Sequence, residues 1–143
     1  MGSTFTLSFR ATELEARAGI RAVIRRLGGL GLGEDQLGNV EIVLAEAVNN
    51  VVEHAYAGTP GGKVQVYCDL DPPGLIVRIC DTGHPLPDSR LPPGRTADLT
   101  GPREHLPEGG FGWFLIRQLT SDISYERRDR CNCLFLGFDL GAA

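Results

Sequence analysis

The sequence predicts an α/β (α+β) two-layer sandwich, a mixed β-sheet with three main helices on one face. Two patterns predict it. Several short segments alternate apolar and polar residues, as strands buried on one face do. Longer segments carry apolar residues at three- and four-residue steps, as helices with one core-facing stripe do. A length of 143 residues and an apolar content of 42% suit a single domain over residues 1–143 with a real core. The chain shows no internal repeat and no second domain.

The elements follow in order. Phe5 to Phe9 alternates and reads as the first strand. Thr12-Glu13-Leu14-Glu15 is a capping box: the Thr12 hydroxyl accepts the N–H three residues on, and Glu15 reaches back. The helix behind it carries Leu14, Ala18, Ile20, Ala22, Val23, Ile24 and Leu27, and Gly28-Gly29 ends it. A glycine-rich joint through Gly33 leads to Glu34-Asp35, whose charge suits a helix N-terminus. The second helix should run from about Asp35 to Ala57, with Val40, Val43, Leu44, Ala47, Val48 and Val51 facing the core, until Gly58 and Pro60 stop it. Lys63 to Leu70 and Leu75 to Cys80 form a hairpin around Asp71-Pro72-Pro73-Gly74, and the second strand ends in Asp81.

Residues 84–108 show neither period and carry Pro85, Pro87, Pro92, Pro93, Pro102 and Pro107. A structureless stretch of that length inside a domain is a functional lid or a disordered segment. Trp113 to Leu119 reads as the third helix, with Phe114, Leu115 and Leu119 inward. Asp122 to Glu126 and Cys133 to Leu140 are the last strands, turning at Arg128-Asp129-Arg130.

Composition narrows the function classes. With 14 basic and 18 acidic residues the net charge is −4, which argues against a nucleic-acid binder. No apolar run approaches the ~20 residues that span a bilayer, and the N-terminus lacks the pattern of a signal peptide. The expectation is a cytoplasmic protein without membrane or nucleic-acid partners. Cys68, Cys80, Cys131 and Cys133 form no C-x-x-C pair and read as small buried hydrophobes in a reducing compartment, not as zinc ligands.

Three pieces carry chemistry. On the second helix, Glu46, Asn50 and His54 fall at i, i+4 and i+8, a polar line along one edge with Asn49 beside it. An Asn amide oxygen is a hard ligand suited to Mg²⁺, and a carboxylate one turn earlier can polarise an attacking hydroxyl. Next, Asp81-Thr82-Gly83 follows a buried strand. An ionised carboxylate only accepts hydrogen bonds, so it suits an exocyclic amine such as that of adenine. Last, Gly109-Gly110-Phe111-Gly112 opens a helix, where backbone N–H groups and the helix dipole can meet phosphate oxygens. The spacing fits neither a P-loop nor a dinucleotide fingerprint.

In this order the three pieces resemble the GHKL ATPases, which join gyrase, Hsp90, histidine kinases and MutL. EAVNNVVEHAY and GGFGWFLIRQL are similar to the bacterial anti-sigma-factor serine/threonine kinases within that superfamily. The similarity covers nearly the whole chain. It implies the Bergerat ATP-binding fold, with ATP and Mg²⁺ as ligands. It implies Glu46 as general base, Asn50 as the Mg²⁺ ligand and His54 as the end of the same motif. Asp81 and Gly83 match the adenine box; Gly110 and Gly112 match the phosphate box, with Gly109 and Phe111 shaping it; Asn132 matches a late-strand position near the adenine. The ATP lid would be about 84–108. One departure stands out: the superfamily's second adenine-box glycine is Pro85 here. The function so implied is phosphorylation of an anti-anti-sigma (STAS-like) partner and sequestration of a sigma factor, by a homodimer. The alternatives are an ATP-binding regulatory module without kinase turnover and an interaction domain that has lost ATP.

Overall fold

The computed structural model describes residues 2–56, 61–92 and 110–141, apart from the side chains of Asp88, Gly110 and Phe111. Strand β1 (Ser3–Arg10) leads into helices α1 (Glu13–Gly29) and α2 (Glu34–Asn50), and α2 continues as a π-helical turn over Val51–Ala55. The hairpin β2 (Lys63–Asp71) and β3 (Gly74–Asp81) follows, then a 3-10 turn (Pro87–Ser89), helix α3 (Gly110–Leu119), and the hairpin β4 (Asp122–Arg128) and β5 (Cys131–Asp139).

The strands form one sheet in the order β1-β2-β3-β5-β4. Every neighbouring pair is antiparallel, so the expected mixed sheet is corrected to an antiparallel one. The reason lies in the last hairpin. β3 and β4 run the same way, and would have paired parallel had they been neighbours; β5 turns back and inserts between them. Its turn is the two-residue link Asp129-Arg130, with φ of 51° and 66° at the two residues. Both left-handed values belong to the turn whose twist matches a two-residue hairpin.

Strand alternation then decides what each face holds. Phe5 and Phe9, Val64 to Leu70 at every second residue, Leu75, Val77 and Ile79, and Leu134, Leu136 and Phe138 are buried beneath the helices. α2 contributes Val40, Val43, Leu44, Ala47 and Val48, as its periodicity predicts; α1 contributes Ala16, Val23 and Leu27. Leu14, expected inward, is 77% exposed. On α3 the core face is Trp113 and Ile116, while Phe114, Leu115 and Leu119 are half-buried at its flanks. The opposite sheet face has no helical layer among the described residues, and Ile76 there is 51% exposed.

Two local expectations need adjustment. Thr12 caps α1 by accepting the Glu15 N–H at 3.1 Å, but its own N–H donates to the Arg10 carbonyl at 2.9 Å and not to the Glu15 side chain. At the start of α2, Gln36 fills the capping role: its Oε1 accepts the Gly33 N–H at 2.9 Å while its Nε2 donates to the Leu140 carbonyl at 2.8 Å. That second bond ties the N-terminus of α2 to the chain just beyond β5.

Candidate functional site

The end of β3 and the start of β5 carry the two buried polar residues found among the described residues. Asp81 is the last residue of β3, in step with Leu75, Val77 and Ile79 on the helix side of the sheet. Asn132 lies directly opposite it on β5. Both are nearly fully buried, at 7% and 3% exposure. Asp81 Oδ1 accepts from Asn132 Nδ2 at 2.8 Å and from the Gly83 N–H at 2.9 Å. Among the described residues no hydrogen bond reaches Oδ2, which leaves one carboxylate oxygen for a donor entering the cleft. Burial pushes the Asp81 carboxyl above its ordinary range; the bonds from Asn132 and Gly83 and the charge of Arg127 pull back against it.

Asn132 is the hub of this end. Its Nδ2 also approaches the carbonyls of Gly83 at 3.2 Å and His84 at 3.1 Å. Its Oδ1 accepts from the Tyr125 hydroxyl at 2.6 Å and from Arg127 Nη1 at 2.8 Å. Arg127 Nη1 also donates to the Gly83 carbonyl at 3.0 Å, and the Tyr125 hydroxyl accepts the Leu86 N–H at 3.1 Å. The loop after β3 is thus fixed from β4 and β5 at several points.

The same loop is fixed from the other side by the π turn. The His84 N–H donates to the Ala55 carbonyl at 2.7 Å. A Cβ on Gly83 would collide with that carbonyl oxygen and lie 2.6 Å from the Ala55 carbonyl carbon, so this position has room only for glycine. Tyr56 completes the joint: its hydroxyl accepts the Thr82 N–H at 2.8 Å and donates to the Lys63 carbonyl at 2.8 Å. The π turn, closed by the Tyr56 N–H reaching the Val51 carbonyl at 3.3 Å, lets one helix supply both the Asn50 side chain and the Ala55 carbonyl.

Between these elements lies a mostly apolar cleft lined by Asn50, Val51, His54, Ile79, Asp81, Pro85, Leu86, Trp113, Tyr125 and Asn132. A concave, mostly apolar cleft with a few convergent polar groups is what a small-molecule site needs. Asn50 adds a telling detail: its Nδ2 is buried with no hydrogen-bond partner among the described residues. A buried amide left unpaired costs about 1–3 kcal/mol, so a water or a ligand entering the cleft can complete its bonding. The two ends of an amide can be exchanged by a flip, so Asn50 can offer a donor to a phosphate oxygen or an oxygen to a cation. The donor set therefore fits a nucleotide with its divalent ion.

Glu46 lies one helical turn before Asn50, half-buried. A Cβ on Gly112 would be 2.6 Å from Glu46 Oε2, so the carboxylate rests against the first turn of α3. Asn49 is exposed on α2. The polar line Glu46–Asn50–His54 breaks at Asn50, where the π turn changes the helical period. His54 still lines the cleft, but its side chain is 67% exposed and its Nε2 is 3.9 Å from Glu53. Of the glycine motif, Gly110 and Gly112 belong to the first turn of α3; Gly109 and the Phe111 side chain lie outside the described residues, as does 93–108 of the expected lid. The described start of that stretch is not featureless: it holds the Pro87–Ser89 turn, and Arg117 donates to the Pro92 carbonyl at 2.9 Å.

Sequence reasoning missed Tyr125, Arg127, Tyr56 and Trp113. Tyr125 and Arg127 fall on the half-buried alternate positions of β4, a signal that was available. What they bind depends on β5 lying next to β4 and on the loop after β3, and no local pattern shows that.

Among known proteins, the family described as histidine kinase-like ATPase domain matches residues 9–138. A serine-protein kinase RsbW from Bacillus mycoides (strain KBAB4) is 32% identical over 117 residues, covering 78% of this chain and 72% of the relative. Another RsbW, from Bacillus cereus (strain Q1), is 31% identical over 120 residues with the same coverage. The fold is similar to the crystal structure of the RsbU and RsbW domains of a Mycobacterium tuberculosis protein, with TM-score 0.65 and 18% identity over 95% of this chain and 31% of that one. It is also similar to the histidine kinase domain of the Erythrobacter litoralis EL346 blue-light activated histidine kinase, with TM-score 0.58 and 16% identity over 87% of this chain and 61% of that one. No helix among the described residues is long and apolar enough to cross a membrane. The chain belongs to the histidine kinase-like (GHKL) ATPase domain family, among the relatives of the serine-protein kinase RsbW.

Proposed function

We propose that the chain binds ATP with Mg²⁺ in this cleft and transfers the terminal phosphoryl group to a serine or threonine of an anti-anti-sigma (STAS-like) protein, and that it also sequesters a sigma factor. A cytoplasmic homodimer belongs to the same reading. The observation that carries it is the unpartnered Asn50 amide, in the same cleft as the free Oδ2 of Asp81.

Each residue has a role in that reading. Asp81 accepts the exocyclic amine of adenine through Oδ2, while Asn132 and Gly83 hold its other oxygen. Val51, Ile79 and Trp113 give the ring apolar walls. Asn50 holds the Mg²⁺, and His54 stands at the rim. Bound Mg²⁺ would neutralise phosphate charge as the bond to the leaving group lengthens. Backbone N–H groups at the start of α3, from Gly110 and Gly112 within the Gly109–Gly112 motif, meet the transferred phosphate. The partner hydroxyl oxygen bonds to phosphorus, the bond to the β-phosphate oxygen breaks, and ADP leaves. Glu46 takes the hydroxyl proton.

Incubation with labelled ATP and a candidate STAS-like partner tests the reading. Phosphate should appear on a partner serine or threonine. Glu46→Ala should cut the transfer rate by about 10²–10⁴-fold while leaving nucleotide affinity nearly unchanged. Normal transfer by that variant removes Glu46 from the mechanism. Nucleotide binding without transfer to any STAS-like protein favours the binding module instead.

A further inference from the structure

Cys80, Cys131 and Cys133 stand on the open face of the sheet, directly behind the Asp81–Asn132 pair. Strand alternation puts them there: each is a chain neighbour of a cleft residue, and so points the other way. Cys80 and Cys133 are opposite each other across β3 and β5, and Cys131 is two residues before Cys133 on β5. The sequence reading treated all four cysteines as buried hydrophobes. That holds for Cys68, which is fully buried in the core and whose thiol burial pushes up to about 12. The other three are only partly buried and are free thiols.

Their spacing is informative. The three Sγ atoms all lie within 4.8 Å of one another, and those of Cys131 and Cys133 are 3.8 Å apart. A cation holding thiolates at about 2.3 Å sets its sulfurs about 3.8 Å apart in a tetrahedron and about 4.0 Å apart in a trigonal plane. The thiols therefore need little movement to converge on one ion, whereas a disulfide needs about 2.05 Å. A shallow pocket lined by Ser8, Lys63, Gln65, Cys80 and Cys131 opens this side to solvent, giving an entry path and room for a fourth ligand. Burial raises all three thiols, Cys133 to about 11, and the nearby charge of Arg78 pulls back at Cys80 and Cys133, so a bound ion has to displace the thiol protons. Thiolates select soft ions such as Zn²⁺ and Cu(I) over the Mg²⁺ suited to the cleft.

We propose that Cys80, Cys131 and Cys133 form a three-thiolate site for a thiophilic d¹⁰ cation, with Zn²⁺ as the probe, on the sheet face opposite the nucleotide cleft. This site does not depend on the kinase reading.

The test uses the whole chain without an affinity tag, reduced, stripped with a chelator, loaded with Zn²⁺ and desalted. Elemental analysis should find about one ion per chain, and Co²⁺ in its place should give a thiolate-to-metal charge-transfer band. The Cys80→Ser/Cys131→Ser/Cys133→Ser triple variant should lose both signals, and Cys133→Ser alone should weaken zinc binding at least ~10-fold. Cys68→Ser should retain both. Thermal melting checks that each variant is folded. Equal zinc on the folded triple variant, or no zinc on the reduced wild-type chain, overturns the proposal.

Discussion

Replacing Asp81 by Asn separates what this residue does for the fold from what it does for a ligand. Oδ1 carries both internal bonds, to Gly83 N at 2.9 Å and Asn132 Nδ2 at 2.8 Å, and an Asn oxygen can keep both. The change falls on the second position, where an acceptor becomes an NH₂ facing the incoming amine. That removes a charge-assisted hydrogen bond and leaves two donors opposed, a loss of about 2–4 kcal/mol, or roughly 30- to 1000-fold in Kd. Stability should move the other way. Burial raises the Asp81 carboxyl in the folded state, so its favourable contribution is complete below the ordinary carboxylate range and is lost as pH rises through the raised value. At neutral pH the buried charge weighs against the fold, and Asp81→Asn removes it. The variant should melt at or above the wild-type temperature near neutrality, with the gap closing on acidification. Calorimetry with ATP and Mg²⁺, paired with thermal melting across pH, reads both effects. Nucleotide affinity within threefold of wild type in a folded variant would refute Asp81 as the adenine acceptor; a marked fall in neutral-pH melting temperature would refute the burial argument.

Three further substitutions probe the frame around the site. Tyr125→Phe removes the bonds to the Leu86 N–H and to Asn132 Oδ1, and should cost about 1–2 kcal/mol and speed hydrogen exchange at the Leu86 amide; unchanged exchange would sink the assignment. Gly83→Ala drives a Cβ into the Ala55 backbone, which cannot swing aside, and should lower unfolding free energy by about 1–3 kcal/mol in a denaturant titration. Gly112→Ala meets the movable end of Glu46 at 2.6 Å. It should leave stability within about 1 kcal/mol yet slow phosphotransfer more than it weakens nucleotide binding, and equal losses in both would argue against contact between Glu46 and the reacting hydroxyl.

Much of the fold was legible because burial here is one-sided. The α2 stripe and the alternation of β2, β3 and β5 each name their buried residues, since a helix or strand with one dry face must repeat that choice along its length. Strand direction was not legible, because it depends on β5 inserting beside β3, a long-range choice that leaves no local mark. Nor was the π turn, which begins inside an unbroken helical pattern. In the site, Asp81 and Asn132 were found separately, while their pairing, and the roles of Tyr125 and Arg127 around it, arise only once β3 and β5 lie side by side. The cysteines show the reverse failure. Spacing rules along the chain saw no ligand set, but register across two strands gathers three sulfurs.

The place of β5 also orders events during synthesis. β5 is made after every other strand of the sheet, yet lies between β3 and β4. A nascent chain that has released only residues up to Arg130 holds the β2–β3 hairpin with one β3 edge unpaired and Asp81 without Asn132 opposite. Such an edge is a template for other strands and a risk for aggregation. The Asp81–Asn132 pair and the protection of that edge therefore both wait for β5, whose residues Asn132 to Asp139 pair with β3, and a stall before that point leaves a chain that is both unable to form the polar pair and exposed to mispairing.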